Sequence, residues 1–168
     1  MNKGKMNRIS IIDEQKEYPI TRSQRSAIRR LVNSALSDQD ETDMVELAIN
    51  FVSSQDIRRL NLQYRQLDEA TDILSFAVLD ISKGGEFPEV LIHKPLGDIV
   101  ICPEVAVEYA LERGMNPFEE IQFLVVHGVL HLLGYDHGYE EDDEHLCAML
   151  QIQRRILNGV GGIKRDGE

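Results

Sequence analysis

Hydrophobic and polar residues follow two spacings along this chain, and each spacing predicts a different kind of element. Short runs that are β-branched, or that alternate apolar and polar residues, predict strands, because successive strand side chains point to opposite faces. Apolar residues three and four positions apart predict helices, because that spacing lines one helical face. The predicted strands cover residues 8–13, 44–53, 73–79 and 98–102, and the predicted helices cover residues 21–36, 54–64, 103–114, 117–133 and 140–157.

No linker or internal repeat divides this series of elements. Strands and helices are mixed, so we expect one domain over residues 1–168, of the α+β or α/β class, with a mixed sheet of about four strands and about five helices. The segment 80–96 contains two Gly and two Pro residues and predicts a surface loop or hairpin. We expect the Gly-rich end, residues 159–168, to be frayed.

Two of the predicted helices have recognisable start or end residues. The helix over 54–64 has Ser54 as a candidate N-cap, and its spacing predicts that Tyr64 faces the core. The helix over 117–133 is preceded by Asn116, a good N-cap, and begins with Pro117, which suits the first helical position. Gly134 suits the left-handed position just after a helix, so we expect the chain to turn back there.

The composition is that of an ordinary folded protein. The chain has 168 residues, of which 42% are hydrophobic, and no apolar run approaches the roughly 18 residues that span a membrane. The first residues lack the apolar core of a signal peptide, and two cysteines exclude a disulfide framework. We therefore expect a cytoplasmic protein with no membrane partner.

The net charge is −11, from 18 basic and 29 acidic residues. This value argues against nucleic-acid binding through a broadly basic surface. The charges are uneven, however, because acids concentrate at 140–144 and the arginines gather in two groups. The groups are Arg22, Arg25, Arg29 and Arg30, and Arg58, Arg59 and Arg65. A local basic surface can exist on an acidic protein, so a nucleic-acid partner stays open.

The stretch HGVLHLLGYDH, residues 127–137, contains three of the five histidines. His127 and His131 are four residues apart, so on a helix their rings point the same way. A turn at Gly134 can bring His137 to the same point. Three nitrogen ligands with a fourth position open are typical of a catalytic zinc site. The alternative is three packed core histidines, which the spacing and the turn signal disfavour; the isolated His93 and His145 are expected to be surface residues.

The histidine spacing equals that of the zinc-protease motif H-E-x-x-H-x-x-G-x-x-H, with one change. Gly128 stands where that motif has Glu, the general base of peptide hydrolysis. A metal can still bind without it, but the proton acceptor of a peptidase is missing. A metallopeptidase-like zinc hydrolase therefore remains only an alternative function.

The HGVLHLLGYDH stretch resembles the signature of the YbeY-type endoribonucleases, bacterial rRNA maturation factors that carry three histidine ligands with no Glu after the first. Further blocks resemble the family in the expected order, from about residue 45 to 157: NLQYR at 61–65, TDILSF at 71–76, LGDIVI at 96–101 and MLQIQRRIL at 149–157. This chain has Ala77 where the family often has Pro, and Cys102 where it often has Ser. Neither departure touches the three histidines.

The resemblance implies a small α+β fold and a single-strand-specific, metal-dependent endoribonuclease. It implies roles in 16S rRNA 3′-end maturation and ribosome quality control, with one Zn²⁺ per chain held by His127, His131 and His137. RNA, and the small ribosomal subunit or its proteins, are the implied partners, and the oligomeric state is left open. A third function, a non-catalytic ribosome assembly factor with a structural metal, also stays open.

Two further residues are candidates for the chemistry. The resemblance assigns importance to Arg65, whose planar guanidinium matches two phosphate oxygens and suits the charge that develops during phosphodiester cleavage. Its alternative role is that of a surface residue at a helix end. Asp136, beside His137, is a candidate general base or a residue that orients an imidazole. A turn-forming or orienting role is favoured over that of a base.

Overall fold

The computed structural model describes residues 6–78, 91–135 and 143–161, with backbone alone for residues 143–147 and 161. Over these residues, four strands and five helices follow in order. They are β1 (Arg8–Asp13), α1 (Arg22–Asp38), β2 (Val45–Phe51), α2 (Ser54–Arg65), β3 (Ile73–Ala77), β4 (Lys94–Ile101), α3 (Pro103–Glu112), α4 (Pro117–Leu132) and α5 (Asp143–Gly161).

The strands form one mixed sheet in the order β1-β2-β4-β3. β1, β2 and β4 run parallel to one another, and β3 pairs with β4 in the antiparallel direction at one edge. The predicted α+β class, with a mixed sheet of four strands and five helices, is therefore confirmed. None of the helices in these described ranges is both long and apolar enough to cross a bilayer.

Several predicted boundaries differ from the structure by one or two residues; two others differ by four, and one predicted cap was wrong. β4 begins at Lys94, not at residue 98, because its first residues pair with β2. The N-cap of α2 is Ser53, whose hydroxyl accepts from the amide of Asp56, so the predicted cap Ser54 is the first helical residue. α5 continues to Gly161, so residues 159–161 are helical and not frayed. Val160 packs against the core there, which favours continuing the helix.

The two faces of the sheet are covered unequally. On one face, alternate residues of β2 and β4 form a large core with α1, α4 and α5; its strand members include Val45, Leu47, Ile49, Phe51, Ile99 and Ile101. On the other face, a small cluster forms where Val100 and Leu74 meet Ile57 of α2. Paired strand residues share a face, so α2 and α4 lie on opposite sides of β3 and β4.

Candidate active site

His127 and His131 lie one turn apart in the C-terminal half of α4, and both are half-buried. Their Nε2 atoms are 2.9 Å apart, and the two ring centroids are separated by 4.5 Å with the planes at 78°. The ring of Phe123, one turn earlier, stacks on His127 at 6.4 Å between centroids. The helical spacing therefore brings two imidazole nitrogens to one point, as the sequence predicts.

The two nitrogens fit a shared metal ion. A separation of 2.9 Å lets both reach one zinc at the usual Zn–N distance of about 2.0–2.1 Å. Imidazole is also a ligand that zinc and other late first-row metals prefer. Within the described residues no group of three or more potential ligands forms. The predicted third ligand His137 and the neighbouring Asp136 lie outside those residues, so their roles stay predictions.

α4 ends in a turn at Gly134 that leads to Tyr135. Asn116 accepts from the amide of Phe118 at the start of α4, as its predicted cap. At the other end Gly134 has φ +97°, the left-handed conformation that suits glycine, and its amide donates to the carbonyl of His131. The hydroxyl of Tyr135 then donates to the side chain of Gln39, next to the end of α1. The residue that follows the turn is therefore anchored to a neighbouring helix.

Gly128 lies where α4 presses most closely on the sheet. A Cβ at this position would lie 2.8 Å from Cγ2 and 2.9 Å from Cδ1 of Ile99, a fully buried residue of β4. Position 128 therefore faces the sheet, whereas His127 and His131, four residues apart, contact each other along a different line of the helix surface. A glutamate here would be driven into the core, so the change from the zinc-protease motif has a packing reason.

Arg65 is the last residue of α2 and is exposed. Gln66 follows it in the left-handed conformation, with φ +61°, and ends the helix. Across the described ranges, the side chain of Arg65 takes part in no hydrogen bond or salt bridge. α2 lies on the other side of β3 from α4, and no described contact joins Arg65 to either histidine. The structure therefore brings the two histidines together but leaves Arg65 on a separate element.

The other arginines of α2 differ from Arg65. Arg58 donates from Nε and Nη2 to the two carboxylate oxygens of Asp68, at 2.8 and 3.0 Å. This hydrogen-bonded pair raises the pKa of Arg58 and lowers the pKa of Asp68. Arg59 forms a salt bridge with Asp56 one turn earlier. Arg58 and Arg59 are therefore engaged by carboxylates and do not extend a free basic track toward Arg65.

The arginines of α1 divide in a similar way. Arg25 is half-buried, donates to the carbonyl of Ile11 at 2.9 Å and lies 3.6 Å from the carboxylate of Asp13, so it ties α1 to β1. Arg22, Arg29 and Arg30 are exposed.

The isolated His93 lies beside the backbone carbonyl of Met6, at 3.3 Å. It precedes β4 and does not belong to α4, which carries the candidate ligands His127 and His131.

Two residues of α2 near Arg65 have roles that the spacing of apolar residues missed. Tyr64 was predicted to face the core but is 59% exposed, with its ring against Phe76 of β3. Asn61 is buried, and its side-chain amide donates to the carbonyl of Glu69 at 2.9 Å, holding the loop after α2. A buried Asn within an otherwise polar, exposed segment cannot be recognised from hydropathy. Both residues belong to the NLQYR block at 61–65, whose resemblance to the family is the sequence feature that could have identified them.

Comparison with known proteins places these residues in a broader context. A family model described as endoribonuclease YbeY matches residues 10–161. Relatives named endoribonuclease YbeY from Staphylococcus aureus strains bovine RF122 / ET3-1 and JH9 are 40% identical over 139 residues, which is 83% of this chain and 87% of theirs. The solution structure of TM1509 from Thermotoga maritima is similar with a TM-score of 0.58 and 27% identity, over 95% of this chain and 99% of that one.

Proposed function

Because this chain belongs to the endoribonuclease YbeY family, we propose that it is a metal-dependent endoribonuclease that cleaves single-stranded RNA. Its proposed place is rRNA processing in the cytoplasm, at 16S rRNA 3′-end maturation and in ribosome quality control. The observation that carries the metal-dependent part is the pair of imidazole nitrogens, 2.9 Å apart on α4. The spacing of HGVLHLLGYDH adds His137 as the third ligand of one Zn²⁺ per chain.

The chemistry divides between the metal and the protein. A bound zinc ion supplies Lewis acidity toward a phosphoryl oxygen. His127 and His131 hold their ring nitrogens at one point because α4 is packed against the sheet, which limits their movement. Asp136 is proposed to orient the ring of His137 or to stabilise the turn, through hydrogen bonds of its carboxylate.

Arg65 is proposed to bind the phosphate that is cleaved. Arg58 and Arg59 are engaged by Asp68 and Asp56, whereas the described residues offer no carboxylate partner to Arg65. An exposed guanidinium can place two N–H groups on two phosphate oxygens. These contacts strengthen as negative charge develops on the non-bridging oxygens in the transition state. β3 is an edge strand of the sheet, so an RNA that crosses this edge is proposed to meet Arg65 on one side and the histidines on the other.

Charge supports a ribosomal partner for this activity. A net charge of −11 repels free RNA at long range, so the exposed arginines provide attraction only locally. Binding to the small ribosomal subunit or one of its proteins would hold the enzyme near its substrate and supply the missing affinity. We therefore propose that rRNA is cleaved within a ribosomal particle. We expect the same RNA segment to be cleaved faster in the subunit than in free solution.

The packing of Gly128 disfavours the metallopeptidase alternative. A glutamate at this position would begin against Ile99 in the core, on the face of α4 that packs on the sheet. Restoring the zinc-protease sequence is therefore expected to damage the fold and not to create a peptidase. The non-catalytic assembly factor differs from the nuclease only in whether RNA is cut, which an experiment decides.

The test compares the wild-type protein with His131→Ala and with His93→Ala as a matched control. We expect about one zinc per chain in the wild type and in His93→Ala, and loss of both metal and cleavage of single-stranded RNA in His131→Ala. Zinc is measured on freshly purified, unchelated protein, and circular dichroism checks that each variant is folded. His93 is a suitable control because it lies beside a backbone carbonyl before β4.

Each contrary result has a distinct meaning. Zinc in the wild type without RNA cleavage, even in the presence of ribosomes, would overturn the nuclease and leave the assembly factor. Zinc retained by His131→Ala would overturn the proposed ligand set. Equal losses in His93→Ala and His131→Ala would show a general effect of removing a histidine and would also contradict the proposal.

A further inference from the structure

Tyr64 presents an aromatic ring to solvent directly beside Arg65. The residue is 59% exposed, and its ring meets Phe76 of β3 with 4.9 Å between centroids and 62° between planes. Phe76 is itself packed against the small cluster under α2, so it gives the tyrosine a fixed support. The tyrosine side chain is therefore supported by Phe76 while much of it remains open.

The other described tyrosine with a similar exposure has its ring covered. Tyr109 of α3 is 42% exposed, and the guanidinium of Arg113 lies 3.7 Å from its ring centroid. The same arginine donates to the hydroxyl of Tyr109. Within the described ranges, Tyr64 has no such cation over its ring and its hydroxyl makes no hydrogen bond. The ring of Tyr64 is thus left available for a partner from outside the chain.

The backbone beneath Tyr64 and Arg65 is held by several hydrogen bonds. Asn61 donates from its side chain to Glu69, and its backbone carbonyl accepts from the amide of Leu67 at 3.4 Å. The pair of Arg58 and Asp68 joins the same loop to α2. These contacts hold the backbone of the helix end, from which a ring and a guanidinium project on consecutive residues. The two groups can be met by a base and a phosphate of one short RNA segment.

We propose that Tyr64 stacks on an unpaired base of the RNA while Arg65 contacts a neighbouring phosphate. The inference rests on the proposed function and deepens it, because it names the residue that favours single-stranded substrate. A base in a duplex is paired and stacked on its neighbours, so the tyrosine cannot take it without unpairing it. A flexible single strand offers the face of a base at no such cost. Tyr64 thereby selects unpaired RNA, and Arg65 acts on the phosphate.

The test is a binding cycle on the full, zinc-loaded chain. Dissociation constants are measured for a short single-stranded RNA and for a set in which one nucleotide at a time is abasic. Wild type, Tyr64→Ala, Tyr64→Leu and Tyr64→Phe are compared, with Tyr109→Ala as the matched control. Tyr64→Leu keeps an apolar side chain against Phe76 but removes the aromatic ring, so it separates stacking from local packing.

We expect Tyr64→Ala and Tyr64→Leu to bind the intact RNA about 10-fold more weakly, and Tyr64→Phe and Tyr109→Ala to bind it as the wild type does. One abasic position should weaken wild-type binding by a similar factor and leave Tyr64→Ala unchanged. In cleavage assays the loss should appear in KM, with kcat little changed, because stacking acts on binding. Preference for single-stranded over duplex RNA should fall in the same two variants.

Two results would overturn the proposal on Tyr64. One is equal affinity of Tyr64→Ala and wild type for the intact RNA. The other is equal sensitivity of both proteins to every abasic position, which would mean that any loss came from altered packing. Either result leaves the nuclease proposal standing if the wild type binds and cleaves the RNA. A wild-type protein that does not bind single-stranded RNA would overturn the proposal on Tyr64, and failure to cleave RNA in the presence of ribosomes as well would overturn the nuclease.

Discussion

The C-terminal half of α4 and the C-terminal end of α2 both carry residues proposed to act on RNA, but they are held in different ways. α4 lies in the large core, and Gly128 brings its backbone directly onto Ile99 of β4. α2 buries only Ile57 and Asn61, and a few polar contacts hold its end. The histidines thus belong to a densely packed helix, whereas Arg65 and Tyr64 project from a lightly packed one.

This difference follows from what each region binds. Metal ligands need nearly fixed positions, since an ion is held only while its donors converge within a few tenths of an ångström. A phosphate and a base come from outside and must be met by exposed groups, which a helix end can present. We therefore expect changes in α4 to alter stability together with function. Changes at the end of α2 should alter function while stability is kept.

The largest effect is expected from filling the contact between α4 and β4. Gly128→Ala should lower the free energy of unfolding by about 1–3 kcal/mol, because its Cβ meets the buried Ile99 side chain. Gly128→Glu should prevent folding, because it also buries a charge without a partner. Gly159→Ala is the matched control: it lies in α5, where a Cβ meets nothing within 4 Å, and better helix propensity should stabilise by up to about 1 kcal/mol.

Chemical denaturation of the three variants and the wild type measures this effect. Equal stability of Gly128→Ala and wild type would contradict the close packing of α4 on the sheet. A folded Gly128→Glu protein would also remove the steric argument against the metallopeptidase. In that case its hydrolysis of peptides would have to be tested directly.

A smaller and purely functional effect is expected at the end of α2. Arg65→Ala should lower kcat for single-stranded RNA by about 10²-fold, the usual loss when one charged or hydrogen-bonding group of the transition state is removed. Its zinc content and its melting temperature should stay at the wild-type values, because Arg65 is exposed and has no partner among the described residues. Arg59→Ala, which removes a guanidinium already engaged by Asp56, is the control and should keep kcat.

Steady-state kinetics with metal analysis decides this point. A loss of zinc in Arg65→Ala would mean that the end of α2 and the metal site on α4 are coupled. This would contradict the expectation that changes at the end of α2 affect function alone. Equal losses of kcat in Arg59→Ala and Arg65→Ala would point to a general effect of positive charge. Arg65→Lys should recover only part of kcat, since a lysine cannot make the two-pronged contact.

The smallest effect concerns pH and the pair of Arg58 and Asp68. Hydrogen bonds from Arg58 lower the pKa of Asp68 from its ordinary value of 3.8. A carboxyl whose pKa is lower in the folded state stabilises the fold above its unfolded pKa, and this contribution is lost as pH falls through the folded value. The pair is exposed, so the contribution is small.

Melting temperatures of the metal-free protein test this between pH 6 and pH 2.5, values that bracket the ordinary Asp pKa of about 3.9. The wild type should be slightly more stable than Asp68→Asn at pH 6, and the difference should shrink as the pH falls below 3.8. Glu69→Gln is the control, because the contact of Glu69 with Asn61 uses its backbone carbonyl. A difference in melting temperature between wild type and Asp68→Asn that is as large at pH 2.5 as at pH 6 would contradict the predicted pH dependence.

The element boundaries show where local patterns succeed and where they fail. The cap at Asn116 and the turn at Gly134 were predicted correctly because both signals act within a few residues. The Gly and Pro residues of the segment 80–96, Pro95 among them, predict a loop that includes residues 94–96. Residues 94–96 form the start of β4 because β2 offers them a partner, through a register shift between Glu46 and Leu47. That pairing joins segments far apart in the sequence.

The candidate site shows the same division. The spacing of His127 and His131 predicted the convergence of their rings, since a helix fixes that relation locally. The spacing of α2 predicted that Tyr64 faces inward, and this was wrong because the cluster under α2 does not extend to the helix end. No pattern along the chain shows that Asp68 engages Arg58 and leaves Arg65 exposed.

The sequence by itself therefore determined the helices, most strand positions and the histidine pair, because hydrogen bonding and side-chain periodicity operate over a few neighbouring residues. Tertiary structure alone decided why position 128 is glycine, which arginine of α2 is unengaged, and that α2 and α4 lie on opposite sides of β3. The glycine at 128 and the positions of α2 and α4 depend on the burial of one surface against another, which no single segment contains. The difference among the arginines depends on ion pairs whose geometry is fixed only once the chain has folded.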